Sequence, residues 1–194
     1  MSRAFSKERA LALLDANWDS SAYPSKTQEA EDKRKADVLL DTFLDWQVKN
    51  KNTILVAEQR FRFRLGERNM TGYIDRIEQQ PDGGLVVIDF KTGSKPSNLT
   101  KAGIREDIQM NIYCMAVQAM YGKVPVRASL YYLKEDKTID YIPDEESIAA
   151  FRERVQAMIL AVCSDEFPAR PSYMGCGRCD YRDLCEVGEK NGEG

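Results

Sequence analysis

The chain contains 194 residues, of which 43% are hydrophobic and 30% are charged, and its net charge is −3. This composition is typical of a globular protein with one core, so we expect a single domain. Histidine is absent, which excludes a histidine base or a histidine-ligated zinc from within this chain. No apolar run approaches the roughly 18 residues of a membrane span, so we expect a cytoplasmic protein with no membrane partner.

The first 50 residues are predicted to form two helices. Apolar residues recur at helical spacing over residues 6–18, and Ser6 is a suitable N-cap. A second helix should begin near Thr27, because acidic residues occupy the turns that follow. The predicted buried face of this second helix consists of Leu39, Leu40, Phe43, Leu44 and Trp46.

Three strands are predicted to follow. Residues 54–65 change from an apolar run to strict alternation, which indicates a half-buried strand. Residues 70–78 and 85–91 form the next two strands, joined by the turn PDGG, and the last is apolar enough for the centre of a sheet. Arg60, Arg62 and Arg64 share one face of the first strand, either as local positive charge for nucleic acid or as an ordinary solvated surface.

The rest of the sequence predicts a helix, two strands, a second helix and a cysteine-rich tail. The helix over residues 104–121 should end at Gly122, and its predicted core stripe is Ile108, Ile112, Met115, Ala119 and Met120. Strands are predicted over residues 126–133 and 138–142, and a long helix over residues 144–163. This order favours an α/β fold in which a mixed central sheet is flanked by helices.

Two carboxylates and a lysine gather at one edge of the predicted sheet. Asp89 and Lys91 are two residues apart on a strand, so both side chains point to the same face. Asp75 can reach the same point from the paired strand. Magnesium prefers oxygen ligands, and a divalent metal activates water for phosphodiester hydrolysis. The alternative is that Asp89 and Lys91 form only an ion pair at the end of a strand.

A polar pair lies on the predicted helix that follows. Gln109 and Tyr113 are four residues apart, so their side chains lie one turn above the other. They are either part of the same site or a surface pair without a role.

The segments GYIDR, VVIDFKTG and QMNIY closely resemble the RecB-like branch of the PD-(D/E)XK nuclease superfamily. The resemblance covers residues 58–113 and resumes at the cysteine tail. It implies a restriction-endonuclease-like fold and the hydrolysis of DNA with Mg²⁺ or Mn²⁺, in repair or recombination. Glu58 lies where many relatives have a glutamate, and we assign it no role.

The resemblance also implies roles for matching residues. Asp75 and Asp89 resemble the metal-binding acids of the family, with the main-chain carbonyl of Phe90 as a further ligand. Lys91 resembles the catalytic lysine. Gln109 and Tyr113 match the family's Q-x-x-x-Y motif, whose residues shape the active site and contact DNA.

The tail carries Cys176, Cys179 and Cys185 with the spacing C-x2-C-x5-C. This pattern is similar to the C-terminal triplet of AddB-like iron-sulfur nucleases, and it implies a 4Fe-4S cluster, which needs four thiolates. In those relatives the fourth cysteine lies far upstream of the nuclease core. A zinc site that adds Cys114 or Cys163 is the alternative, although such cysteines are usually small buried hydrophobes.

Two features of these relatives are missing, namely the upstream cysteine and a histidine ligand ahead of the acidic motif. We therefore expect the C-terminal part of a larger protein, with a helicase domain in the same parent chain or in a partner subunit. The cluster would then be incomplete in this chain. The rival hypothesis is a complete small protein that has diverged from the pattern.

The predicted organisation is one nuclease domain over residues 1–194. N-terminal helices occupy residues 1–50, the catalytic core residues 51–142, and the C-terminal helix with the cysteine tail residues 143–194. We expect an exonuclease that acts on single-stranded DNA ends. The alternatives are a catalytically impaired DNA-binding module with the same fold and a CRISPR-adaptation nuclease, which shares all these motifs.

Overall fold

The computed structural model describes residues 6–164, 168–185 and 187. Helix α1 is Lys7–Ala16 and helix α2 is Lys26–Lys49. Ser6 and Ser25 cap them, since each hydroxyl accepts a hydrogen bond from the backbone N–H three residues later. The predicted cap at Ser6 is therefore confirmed.

A five-stranded sheet follows, with its strands in the order β1-β2-β3-β4-β5. Strands β3 and β4 are parallel, while the other neighbouring pairs are antiparallel. The strands are Thr53–Leu65 (β1), Arg68–Gln79 (β2), Leu85–Lys91 (β3), Arg127–Tyr132 (β4) and Lys137–Tyr141 (β5). The parallel connection runs through helices α3 (Lys101–Arg105) and α4 (Ile108–Tyr121). The predicted mixed sheet flanked by helices is confirmed.

The chain over residues 104–121 forms two helices rather than the predicted one. Asp107 separates α3 from α4, and its carboxylate caps α4 by accepting a 2.8 Å hydrogen bond from the Met110 N–H. Gly122 ends α4 as predicted, with φ of 72°.

The predicted core stripe of α4 is wrong in four of its five positions. Ile108 and Met120 are 40% and 36% exposed, Ala119 is exposed and Ile112 is only half-buried. The buried residues are Met110, Asn111, Tyr113, Cys114, Met115, Ala116 and Val117. Because most of the helix is apolar, its periodicity does not indicate which side faces the sheet.

Helix α2 covers the face of the sheet opposite α4. Its residues Leu39, Phe43 and Trp46 pack on a buried cluster in β3, β4 and the following turn. That cluster is formed by Val86, Ile88, Tyr131 and Leu133. The apolar face predicted for α2 therefore packs on the core, although none of its residues is fully buried.

A buried guanidinium joins α2 to β2. The Arg76 side chain lies 4.9 Å from the ring centroid of Phe90, 5.3 Å from Phe43 and 5.6 Å from Trp46. Burial lowers its pKa, and the neighbouring Glu78 carboxylate opposes that shift. Three aromatic faces thus replace part of the water that this cation loses.

The carboxylate of Glu78 is fully buried and has three partners. Asn50 and Asn52 donate hydrogen bonds of 2.7 Å and 3.0 Å, and Arg76 lies at 3.3 Å. A buried charge is tolerated when it is paired and hydrogen-bonded, so this set fixes the end of α2 against β2.

The described residues fall into two compact units, one up to Arg152 and the other from Glu153. Helix α5 (Glu145–Val162) spans this boundary, and Asp144 caps it through a 2.7 Å hydrogen bond from the Ser147 N–H. The second unit also contains the short helix α6 (Tyr173–Cys176). Within the described ranges, no helix combines the length and apolarity that crossing a membrane requires.

We predict that Gly72→Ala destabilises the protein. A Cβ at Gly72 would lie 2.7 Å and 2.8 Å from two ring carbons of Phe61, whose ring is buried. Displacing this ring should lower the free energy of unfolding by roughly 1–3 kcal/mol, measured by urea denaturation. Gly93→Ala is the matched control, because a Cβ there meets no atom within 4 Å. Equal stability of the two variants would contradict this packing constraint.

Candidate active site

The site forms where the C-terminal end of β3 lies beside the middle of β2. The antiparallel register, in which Arg76 faces Ile88, brings Asp75 next to Asp89. The Phe90 N–H donates a 2.9 Å hydrogen bond to Asp75 Oδ2, which orients that carboxylate. The structure therefore brings together the two predicted acids, and the β3 backbone holds one of them in place.

Asp89 is a buried carboxylate, only 2% exposed. Burial raises its pKa, the nearby charges of Asp75 and Asp107 add to that rise, and Lys91 opposes it. Lys91 Nζ lies 2.7 Å from Asp89 Oδ2. Apart from this ion pair, the buried oxygen has no hydrogen-bond partner among the described residues.

Lys91, Gln109 and Tyr113 form one chain of hydrogen bonds. Lys91 Nζ donates to Gln109 Oε1 at 2.8 Å, and Gln109 Nε2 donates to the Tyr113 hydroxyl at 2.8 Å. The Lys91 ammonium thus contacts both the glutamine amide and the Asp89 carboxylate. Since the Tyr113 oxygen accepts from Gln109, its own O–H remains able to donate to another group.

The Tyr113 side chain lies in a negatively charged environment. Burial raises its pKa, and the charges of Asp89, Asp75 and Glu58 raise it further, against the lowering effect of Gln109. The ring packs edge-on against Phe61 at 6.1 Å between centroids. Its hydroxyl is therefore a neutral hydrogen-bonding group rather than a phenolate at physiological pH.

Glu58 joins this group, although its sequence context assigned it no role. It lies on β1 between Ala57, which faces Arg76, and Gln59, which faces Ile74, and so stands opposite Asp75. Its φ of 50° is a left-handed conformation that costs a non-glycine residue roughly 1–3 kcal/mol. No local signal identifies it, because glutamate does not favour this conformation.

The oxygen atoms of the site fit a divalent cation that retains water ligands. Asp89 Oδ2 is a buried acceptor lacking a hydrogen bond, and Asp75 contributes a second carboxylate. The described residues contain no group of three or more cysteine, histidine or acidic side chains arranged to hold a metal. Such a site suits Mg²⁺ or Mn²⁺, which bind through one or two carboxylates, better than a closed zinc site. The role of the Phe90 carbonyl stays a prediction.

The cysteines of the tail lie in the second unit. Cys176 ends α6, and the Cys179 N–H donates to the Cys176 carbonyl at 3.3 Å. The described part of the tail, which includes Cys185, shows no set of metal ligands. In the first unit, burial raises the pKa of the Cys114 thiol to about 12, so it is a poor candidate for a thiolate ligand.

The comparison with protein families agrees with this fold. Residues 2–186 match the model of the PD-(D/E)XK nuclease superfamily, and the chain belongs to that superfamily. The Gene 69 protein of Mycobacterium phage D29 is 29% identical over 139 residues, which are 67% of this chain and 47% of that protein. The chain thus spans about half the length of this curated relative. The crystal structure of SSO0001 aligns over 94% of both chains, with 15% identity and a TM-score of 0.46.

We predict that Asp89→Asn stabilises the metal-free protein at neutral pH. Because its folded-state pKa is raised, the contribution of Asp89 to stability is most favourable below the unfolded value of 3.8 and is lost as the pH rises through the folded pKa. Asparagine has no charge to desolvate. The expected gain at pH 7 is roughly 0.5–2 kcal/mol, the usual size of a single stabilising substitution.

Urea unfolding in EDTA at pH 7 and at pH 4 measures this difference, which should shrink at the lower pH. Asp45→Asn, an exposed position on α2, is the control and should change stability little at either pH. A less stable Asp89→Asn protein at pH 7 would mean that the loss of the Lys91 ion pair outweighs the relief of burial.

Proposed function

We propose that this chain is the nuclease domain of a deoxyribonuclease that uses Mg²⁺ or Mn²⁺, acting as an exonuclease on single-stranded DNA ends during repair or recombination. The observation that supports it is the meeting of Asp75, Asp89 and Lys91 where the end of β3 lies beside the middle of β2. Membership of a nuclease superfamily agrees with this proposal.

Each residue has a defined task in the proposed reaction. Asp75 and Asp89 would hold a divalent cation, which when bound would supply Lewis-acid activation of water and of the phosphoryl oxygens. Lys91 neutralises charge on the scissile phosphate and orients the attacking water, while Gln109 keeps its ammonium in position. The Tyr113 hydroxyl can donate a hydrogen bond to the DNA backbone, since its pKa is raised.

The test is cleavage of labelled single-stranded DNA in Mn²⁺, compared with EDTA. Asp89→Ala and Lys91→Ala should each lower the rate by about 100-fold or more, the usual effect of losing a positioned catalytic group. Lys137→Ala, which removes an exposed lysine on β5, is the matched control and should cleave normally. Equal rates in all of these proteins would refute the catalytic assignment.

The absence of histidine favours a second candidate function. Relatives of the RecB-like type have a histidine ligand, and this chain contains none. A nuclease fold that binds DNA without turnover would therefore show salt-dependent binding but no metal-dependent cleavage in the same assay. The CRISPR-adaptation role remains an alternative setting for the same chemistry, and the division into N-terminal helices, core and tail stays a prediction.

We further propose that Cys176, Cys179 and Cys185 provide three ligands of an AddB-like 4Fe-4S cluster. The fourth would come from elsewhere in a parent helicase-nuclease or from a partner subunit. Support for this proposal comes from the C-x2-C-x5-C spacing and from the unsuitability of Cys114, whose pKa is about 12.

Anaerobic reconstitution with iron and sulfide tests the cluster. Because one ligand is missing, this chain should develop only weak and labile visible absorbance. The absorbance should disappear in a variant with serine at Cys176, Cys179 and Cys185, and should persist in Cys114→Ser. Persistence in the triple serine variant would rule out these three ligands.

A further inference from the structure

Strands β1 and β2 extend beyond the rest of the sheet as a two-stranded hairpin. β2 pairs with β3 only from Arg76 to Gln79, whereas its pairing with β1 continues to Arg68, opposite Leu65. The hairpin therefore has no third strand beside the segment of β2 that precedes Asp75. That segment leads directly into the active site.

The two faces of the hairpin differ in character. On β1, Phe61, Phe63 and Leu65 are buried, while the residues between them are exposed. In an antiparallel pair, directly opposite residues lie on the same face. The exposed side, called the hairpin face below, comprises the pairs Arg60 with Tyr73, Arg62 with Thr71 and Arg64 with Asn69.

The hairpin face carries a row of positive charge on a chain whose net charge is −3. Arg60, Arg62 and Arg64 are spaced two residues apart, about 7 Å along the strand. Within residues 6–164, 168–185 and 187, none of these three guanidinium groups forms an ion pair with a carboxylate. Their charge is not neutralised by an internal partner.

Two of these side chains are held on the surface. Arg62 Nε donates to Asn69 Oδ1 at 3.3 Å, and Arg64 Nε donates to the Gly66 carbonyl at 2.9 Å. A guanidinium has five N–H donors, so these bonds orient each group and leave its terminal nitrogens for a ligand. Such a fork matches the oxygens of a phosphate.

An exposed aromatic ring lies at the end of the row that is nearer to the active site. Tyr73 is 57% exposed, faces Arg60, and precedes Asp75 by two residues on the same strand. Side chains two residues apart share one face of a strand, so the ring and the carboxylate follow each other along β2. Exposed aromatic rings beside positive charge are the elements with which proteins bind single-stranded nucleic acid.

We propose that the hairpin face binds single-stranded DNA and directs it toward Asp75. The inference rests on the proposed nuclease function, and it names the surface that receives the substrate. The three arginines contact successive phosphates, and the Tyr73 ring stacks on one base. A single strand is the ligand that fits, because the bases of a duplex are already stacked on each other and the charges form one row.

The test measures binding of a fluorescent oligothymidine by anisotropy in EDTA, so that no cleavage occurs, over a range of salt concentrations. The variant with alanine at Arg60, Arg62 and Arg64 should bind at least tenfold more weakly. The slope of log K against log salt should also fall by about 2, since each single-strand phosphate contact contributes about 0.7.

Four further variants separate this proposal from simpler explanations. Alanine at Lys51, Lys134 and Lys137 removes the same charge from other exposed positions, and affinity and slope should stay close to the wild-type values. Lysine at Arg60, Arg62 and Arg64 should retain most of the slope. Tyr73→Ala should lose at least fivefold in affinity, whereas Tyr73→Phe should not.

Three outcomes would overturn the proposal: an unchanged slope in the arginine variant, an equal loss in the lysine control, or tighter binding of a duplex through the same arginines. Its failure is distinguishable from that of the nuclease function. A chain that cleaves DNA without using the hairpin face refutes only this proposal. A chain that binds single strands through the hairpin face but does not cleave them refutes only the catalytic assignment.

Discussion

The buried carboxylate of Asp89 is the constraint around which the site is organised. Strand β3 lies between β2 and β4 and is apolar along most of its length, so a charge near its end loses solvation. Lys91 offsets part of that cost from the same strand through an ion pair, which is the one contact found for the buried oxygen Asp89 Oδ2 among the described residues. The site can accept a cation, because a bound cation would offset the negative charge of the buried carboxylate and provide a further partner for its oxygen.

The opposite face of the sheet supplies the rigidity that such a site needs. Successive residues of β2 point to opposite faces of the sheet, so Asp75 and its neighbour Arg76 lie on different faces. Arg76 is buried among the aromatic rings of α2 and β3. Glu78 continues that buried side with hydrogen bonds from two asparagines. Helix α2 and the two buried charges therefore fix the strand from which Asp75 projects.

Charge is distributed unevenly along the β1–β2 hairpin. The end within the sheet carries Glu58 and Asp75 at opposite positions of the two strands, while the outer part carries three arginines on its exposed side. An anionic ligand would be attracted to the outer part and repelled by bare carboxylates at the inner end. A cation bound between these acids would remove that repulsion. The approach of an anionic ligand would then depend on whether the cation site is occupied.

Much of the secondary structure could be predicted from local sequence patterns. Alternation and apolar runs predicted the five strands, and the two-residue spacing of Asp89 and Lys91 predicted their common face. The helical spacing of Gln109 and Tyr113 predicted their contact, which is a 2.8 Å hydrogen bond. These features follow from the periods of a single strand or helix, which are properties of the local sequence.

Only the tertiary structure decided which side of α4 is buried, that Gln109 bridges Lys91 to Tyr113, and that Glu58 stands opposite Asp75 in a left-handed conformation. Each of these depends on how one element packs or pairs with another that is distant in the sequence. An apolar helix can turn several faces toward a sheet, and a strand residue acquires its neighbours from the register. The sequence therefore determined most of the elements, although not the break between α3 and α4, while packing and register determined how the two aspartates, the lysine and the tyrosine meet.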